Sequence, residues 1–85
     1  MILRLTRNNE PIKESEYPNI ERAFTDVHSE CEGVLFANSY KGMELDSLDV
    51  YNDLEQTERK LSIFHCVHLA TIKTLNYKFE YFLIK

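Results

Sequence analysis

Two short clusters of histidine and cysteine are the residues of this sequence that could hold a metal ion. His65, Cys66 and His68 lie within four positions, and His28 and Cys31 lie three apart. Imidazole and thiolate are the ligands of structural zinc, which two closely spaced pairs commonly hold. A zinc site is therefore geometrically conceivable from four residues: His28, Cys31, Cys66 and His68.

The surroundings of these residues favour a structural role instead. Neither pair has the spacing of a zinc finger, and cysteine packs in protein cores as a small apolar residue. A cysteine nucleophile would also need a lowered thiol pKa and an oxyanion site, which the apolar stretch 62–70 does not supply. We therefore expect no metal, no cofactor and no enzymatic activity. A small enzyme or a zinc-binding protein is the less favoured alternative.

The acidic middle of the chain is the strongest feature of the sequence. Residues 42–58 contain six acidic residues and no basic one. Such a run is most often a solvated surface, but it also suits docking on a basic protein, because complementary charge speeds encounter and disfavours wrong partners. The residues predicted to contact the partner are six acids and one aromatic anchor: Glu44, Asp46, Asp49, Tyr51, Asp53, Glu55 and Glu58.

These observations predict a small acidic protein-binding module, of the inhibitor or immunity type, that docks on a basic nucleic-acid-handling protein. In size, acidity and lack of motifs the chain resembles, in general character, bacterial immunity proteins and phage-encoded inhibitors of host enzymes. Its net charge of −4 opposes direct binding to nucleic acid. The alternative is a homodimeric or assembly subunit without catalytic activity, joined along the first or last strand or through residues 82–85.

Length and composition predict one domain that spans residues 1–85. A chain of 85 residues has no room for a second core, and a hydrophobic content of 44% is typical of a globular protein. No apolar run approaches the roughly 18 residues of a membrane span. The first residues lack the apolar segment of a secretory signal, and two cysteines are too few for a disulfide scaffold. We therefore expect a cytoplasmic protein without membrane association.

The periodicity of the apolar residues predicts an α+β fold. We expect an antiparallel sheet of about four or five strands, with one helix near 17–31 packed on one face and a second, short acidic helix near 47–60. A strand through residues 48–52 competes with the second helix. The predicted strands are 2–6, 33–37 with a hairpin turn into residues 43–45, 61–72 and 75–83, and residues 7–16 are expected to be a loop.

The same patterns predict which side chains form the core. It should contain twelve residues: Leu3, Leu5, Ile20, Phe24, Val27, Leu35, Ile63, Val67, Leu69, Phe79, Tyr81 and Leu83.

Overall fold

The computed structural model describes all 85 residues as two helices packed on a six-stranded antiparallel sheet. The elements follow one another as β1 (Ile2–Arg7), β2 (Glu10–Glu16), α1 (Ile20–Ala37), β3 (Ser39–Tyr40), β4 (Met43–Val50), α2 (Leu54–Phe64), β5 (Cys66–Thr74) and β6 (Lys78–Ile84). The strand order across the sheet is β2-β1-β6-β5-β4-β3. The α+β prediction is confirmed, but the sheet has six strands, not four or five.

Two observed strands were not predicted, the short β3 and the longer β2, which lies in the region expected to be a loop. Asn8 and Asn9 have positive φ angles of 50° and 71°, as a two-residue hairpin turn requires, and they connect β1 directly to β2. Nearly all of β2 is exposed, so its side chains show no apolar alternation. Pro11 is tolerated because β2 lies at the edge of the sheet.

Helix α1 is longer than the sequence predicts at its carboxyl end. Asn19 caps its start by accepting a hydrogen bond of 2.9 Å from the Arg22 amide, and Asn38 ends it in the left-handed conformation. The prediction of a helix stop at Gly33, followed by a strand over 33–37, is wrong. A single glycine inside a helix costs only about 1 kcal/mol, which the burial of Cys31 and Val34 on one stripe offsets.

The acidic segment is divided between a strand and a helix. Residues 43–50 form β4, and α2 begins only after Asp53, so the helix expected near 47–60 is wrong over its first part. The competing strand over 48–52 is correct as far as Val50. Helix α2 then continues to Phe64, so the strand expected over 61–72 is wrong at its start. From Cys66 onward the residues do form a strand, β5.

Both helices pack against the same face of the sheet and enclose one core of sixteen buried apolar residues. Nine of the twelve predicted core residues belong to it. Phe24 is only half-buried, and Leu35 and Ile63 are exposed because they lie on the outer sides of helices and not in strands. Neither helix combines the length and the apolar character needed to cross a membrane.

Candidate docking surface

The seven residues predicted to bind a partner do not form one surface. Glu44, Asp46 and Asp49 lie on β4, whereas Glu55 and Glu58 lie on α2. Tyr51 and Asp53 lie in the segment between the two elements. Glu58 lies beside Ile20 and Glu21 of α1, where it lines a separate shallow depression. The acidic run therefore separates into groups with different surroundings.

Asp53 and Glu55 already have partners within the chain. The Asp53 carboxylate accepts a hydrogen bond of 3.0 Å from the Gln56 amide and so caps the first turn of α2. Glu55 pairs with Arg59 one turn later, at a distance of 2.9 Å. These two carboxylates stabilise the start of α2, and they are poor candidates for a partner's cations.

Tyr51 is also held in place by its neighbours. Its carbonyl oxygen lies 3.0 Å from His28 Nε2, and the Lys60 ammonium lies 4.4 Å from the centroid of its ring. A cation above the ring makes a favourable cation–π contact and adds positive charge to this part of the surface. Tyr51 is therefore a connector between α1 and α2 in the free protein, and its ring is not an open apolar anchor.

The three carboxylates of β4 make no ion pair within the chain. Glu44, Asp46 and Asp49 are exposed, and none of the six ion pairs of the protein includes them. Asp46 is the extra residue of a β-bulge, because Leu45 pairs with Thr74 while Ser47 pairs with Lys73. We call these three carboxylates the acidic edge. Their charge is available to a partner without the loss of an existing ion pair.

The acidic edge borders a strand that has no neighbour along most of its outer side. β3 pairs only with Met43 and Glu44 of β4, and the Leu45 amide donates a hydrogen bond of 3.1 Å to the Asn38 carbonyl just before β3, so residues 46–50 have a paired strand on one side only. We call this segment the open edge. An open depression of about 410 Å³ lies at its start, lined in part by Leu45, Asp46 and Leu75, and the Leu75 side chain is 90% exposed. Negative charge and an exposed apolar side chain thus meet at the start of β4.

The histidine and cysteine residues do not form a common cluster. Cys31 is buried on α1, whereas Cys66 and His68 are exposed on the face of β5 that points away from the helices. Cys66 and His68 thus share one face of β5, two residues apart, while Cys31 lies on the other side of the sheet. His65 ends α2 in the left-handed conformation and belongs to no strand.

A polar cluster of His68, Thr71 and Glu80 lies on the face of the sheet opposite the helices. Thr71 Oγ1 and Glu80 Oε2 lie 2.9 Å and 3.1 Å from the same atom, Nε2 of His68. A relay from a hydroxyl to a carboxylate would use both ring nitrogens, with one group at each. The shared Nε2 therefore does not fit such a relay, and Glu80 also pairs with Lys78 at 3.4 Å. The alternating pattern of residues 75–83 placed Glu80 outside the core, but it could not give the register that brings Glu80 to His68.

A partly open cavity of about 100 Å³ lies beneath α1, between β3 and the hairpin of β1 and β2. The buried hydroxyls of Tyr40 and Tyr81 line it, together with Glu30 and the exposed residues Lys13 and Lys41. Burial raises the pKa of Tyr40 to about 12, so this phenol is neutral at physiological pH. The cavity has room for a few water molecules, and its hydroxyls already bond to each other.

Comparison of the chain with family models, with curated proteins and with solved structures gives no match. Its function must therefore be inferred from the surface of the molecule itself.

Proposed function

We propose that this chain is a protein-binding module that docks a basic protein on the acidic edge. The observation that supports this proposal is the position of Glu44, Asp46 and Asp49 on β4, exposed and without ion pairs, beside an open strand. Unpaired surface carboxylates attract a cationic partner over about 8 Å at physiological salt and speed its encounter. An inhibitor or immunity-type protein would act in this way if it covered the surface that its target uses for its own activity.

The proposed docking surface keeps only three of the seven contact residues that the sequence predicts. It keeps the acids of β4 and omits Asp53 and Glu55, which stabilise α2, and Tyr51, which Lys60 covers. Glu58 is omitted because it lies beside α1. The homodimer alternative could not use the edge of the first or the last strand, because β1 and β6 lie inside the sheet, which leaves residues 82–85 as its remaining proposed interface.

A charge-reversal experiment with a matched control tests the proposal. The test variant carries Glu44→Lys and Asp49→Lys, and the control carries Glu10→Lys and Glu32→Lys, two exposed acids that also lack ion pairs. Both variants have the same net charge, so they separate a local site from general electrostatic attraction. The three proteins are immobilised and exposed to a lysate of the source cells, and any retained protein is identified and purified.

The affinity of the purified partner is then measured at physiological salt. The Glu44/Asp49 variant should bind it at least tenfold more weakly, which is about 1.4 kcal/mol, and the control should bind it as the wild type does. Equal loss in both variants, or loss in neither, would contradict docking on the acidic edge.

A further inference from the structure

We infer that the partner binds as an extended basic segment that pairs with the open edge and becomes a seventh strand of the sheet. This inference rests on the proposed function, and it adds the form in which the partner is recognised. Strand addition gives affinity through main-chain hydrogen bonds and specificity through alternate side chains. The open edge, residues 46–50, is five residues long, which corresponds to about 17 Å of extended chain.

The hydrogen bonds of β4 show which backbone groups are free. The Tyr51 amide donates a bond of 2.8 Å to the Leu69 carbonyl of β5. Backbone groups of an antiparallel strand point alternately to one neighbour and then to the other, so the groups of Val50 and Leu48 point away from β5. Neither residue makes a backbone or side-chain hydrogen bond outside the sheet ladder. Their amides and carbonyls are therefore free to pair with an added strand.

The other edge strand of the sheet, β2, is less suited to pairing with an added strand. It carries Pro11, which has no amide to donate, and Lys13, and Ile12 is the extra residue of a bulge. Proline, lysine and bulges are the features by which natural sheets prevent further strands from joining. β4 contains neither proline nor lysine, and the strand contains only acidic charges. β4 also contains a bulge, at Asp46, so the two edges differ in proline and lysine but not in the presence of a bulge.

Charge decides which kind of strand can join. A second copy of this chain would bring its own acidic edge against Glu44, Asp46 and Asp49, and like charges on neighbouring strands are destabilising. A segment with lysine or arginine at alternate positions would pair these carboxylates instead. The intervening residues would lie on the other face, beside the half-buried side chains of Leu48 and Val50, and should be apolar. We therefore expect an alternating basic and apolar segment of about six residues.

A labelled model peptide tests this inference directly. The probe is Lys-Val-Lys-Val-Lys-Val with a fluorophore at one end, and two further versions carry N-methyl groups on the three lysines or on the three valines. Each N-methyl group removes one backbone donor without changing charge. Only one set of amides can face β4, so one methylated version should bind at least tenfold more weakly while the other stays within about twofold of the parent.

Amide exchange measured by NMR gives an independent result from the same samples. With the parent peptide bound, exchange of the Leu48 and Val50 amides should slow at least tenfold, and the amides of β2 should be unchanged. Equal binding by both methylated peptides, together with loss in the Glu44→Lys and Asp49→Lys variant, would overturn strand addition and leave acidic docking intact. Equal binding of the parent peptide by that variant and by the wild type would contradict both proposals.

Two further outcomes would show whether a basic segment adds to the open edge. If the parent peptide shows no binding at about 1 mM, strand addition to the open edge is wrong, and the lysate experiment alone decides acidic docking. Light scattering of the protein without peptide should show a monomer. A dimer in which the Leu48 and Val50 amides are protected would identify a second copy as the occupant and overturn the basic segment.

Discussion

The phenol oxygens of Tyr40 and Tyr81 lie 3.1 Å apart in the buried interior, although their strands β3 and β6 are separated by β4 and β5 in the sheet. The Tyr40 ring also meets the ring of Phe79 edge to face, with centroids 4.9 Å apart. The sheet therefore curls until its short last strand lies over its middle. Glu30 of α1 accepts a further hydrogen bond from Tyr40 at 3.4 Å and joins the helix to this contact.

Removal of either hydroxyl of this pair should destabilise the fold. Tyr81→Phe and Tyr40→Phe should each lower the free energy of unfolding by about 1 kcal/mol, because each leaves a buried hydroxyl with one partner fewer. The double variant should lose less than the sum, since the second change removes a group that has already lost its partner. Urea unfolding of the four proteins gives these values. Strictly additive losses would mean that the two hydroxyls do not interact.

Stability should fall in alkaline solution because of Cys31. Burial raises the pKa of its thiol from the ordinary 9.0 to about 11, so the folded protein keeps a proton that the unfolded chain releases. The corresponding stabilisation is complete below pH 9.0 and is lost as the pH rises towards about 11. Urea midpoints measured across this range should decrease. Cys31→Ala should flatten the decrease between pH 9 and 10, whereas the control Cys66→Ala, at an exposed cysteine, should not.

The N-terminal cap of α2 should depend on Asp53. Asp53→Ala should cost about 0.5–2 kcal/mol, because it leaves the Gln56 amide without its acceptor. Glu55→Ala is the matched control two residues away, and it removes only an exposed ion pair with Arg59, worth about 0.3–0.5 kcal/mol. Thermal unfolding of both variants compares the two losses. A larger loss for Glu55→Ala would show that the cap is not formed.

Two phenylalanines should differ in their contribution to stability. Phe79 is 1% exposed at the centre of the core, and Phe79→Ala should cost about 3–5 kcal/mol. Phe24 is half-buried at the side of α1 and stacks on His28 with ring centroids 4.3 Å apart, so Phe24→Ala should cost roughly half as much. Urea unfolding measures both. Equal losses would mean that Phe24 packs as deeply as Phe79.

Local patterns predicted those elements whose side chains alternate between core and solvent. The alternation over β6 and the apolar stripe from Ile20 to Cys31 appear in the structure as predicted, because each element buries one side and exposes the other. β2 could not be recognised in this way, since an exposed edge strand has no buried side. The predicted end of α1, at Gly33, came too early. Glycine has a low helix propensity, and the sequence alone does not show that packing of the following turn is strong enough to continue the helix through it.

The candidate site was predicted by composition but not by arrangement. The excess of acids between residues 42 and 58 identified the region that contains the acidic edge. The acidic run is divided between β4 and α2 at Asp53. Asp53 is a typical N-cap residue three positions before Gln56, and the cap places the start of α2 after the end of β4. The open edge itself is a property of strand order. It depends on β3 being only two residues long, which no pattern within β4 reveals.

The pairing of β1 with β6 has a consequence for synthesis of the protein. Ile2 faces Ile84 and Arg7 faces Phe79, so one partner of the first strand is made about seventy residues after it. At about 5–20 residues per second, the ribosome supplies that partner roughly 4–14 s later. During this interval β1 has only β2 beside it, and a lone two-stranded hairpin is marginally stable. Leu3 and Leu5 should then be open to chaperones, and completion of the sheet must await the last strand however fast the folding reaction itself is.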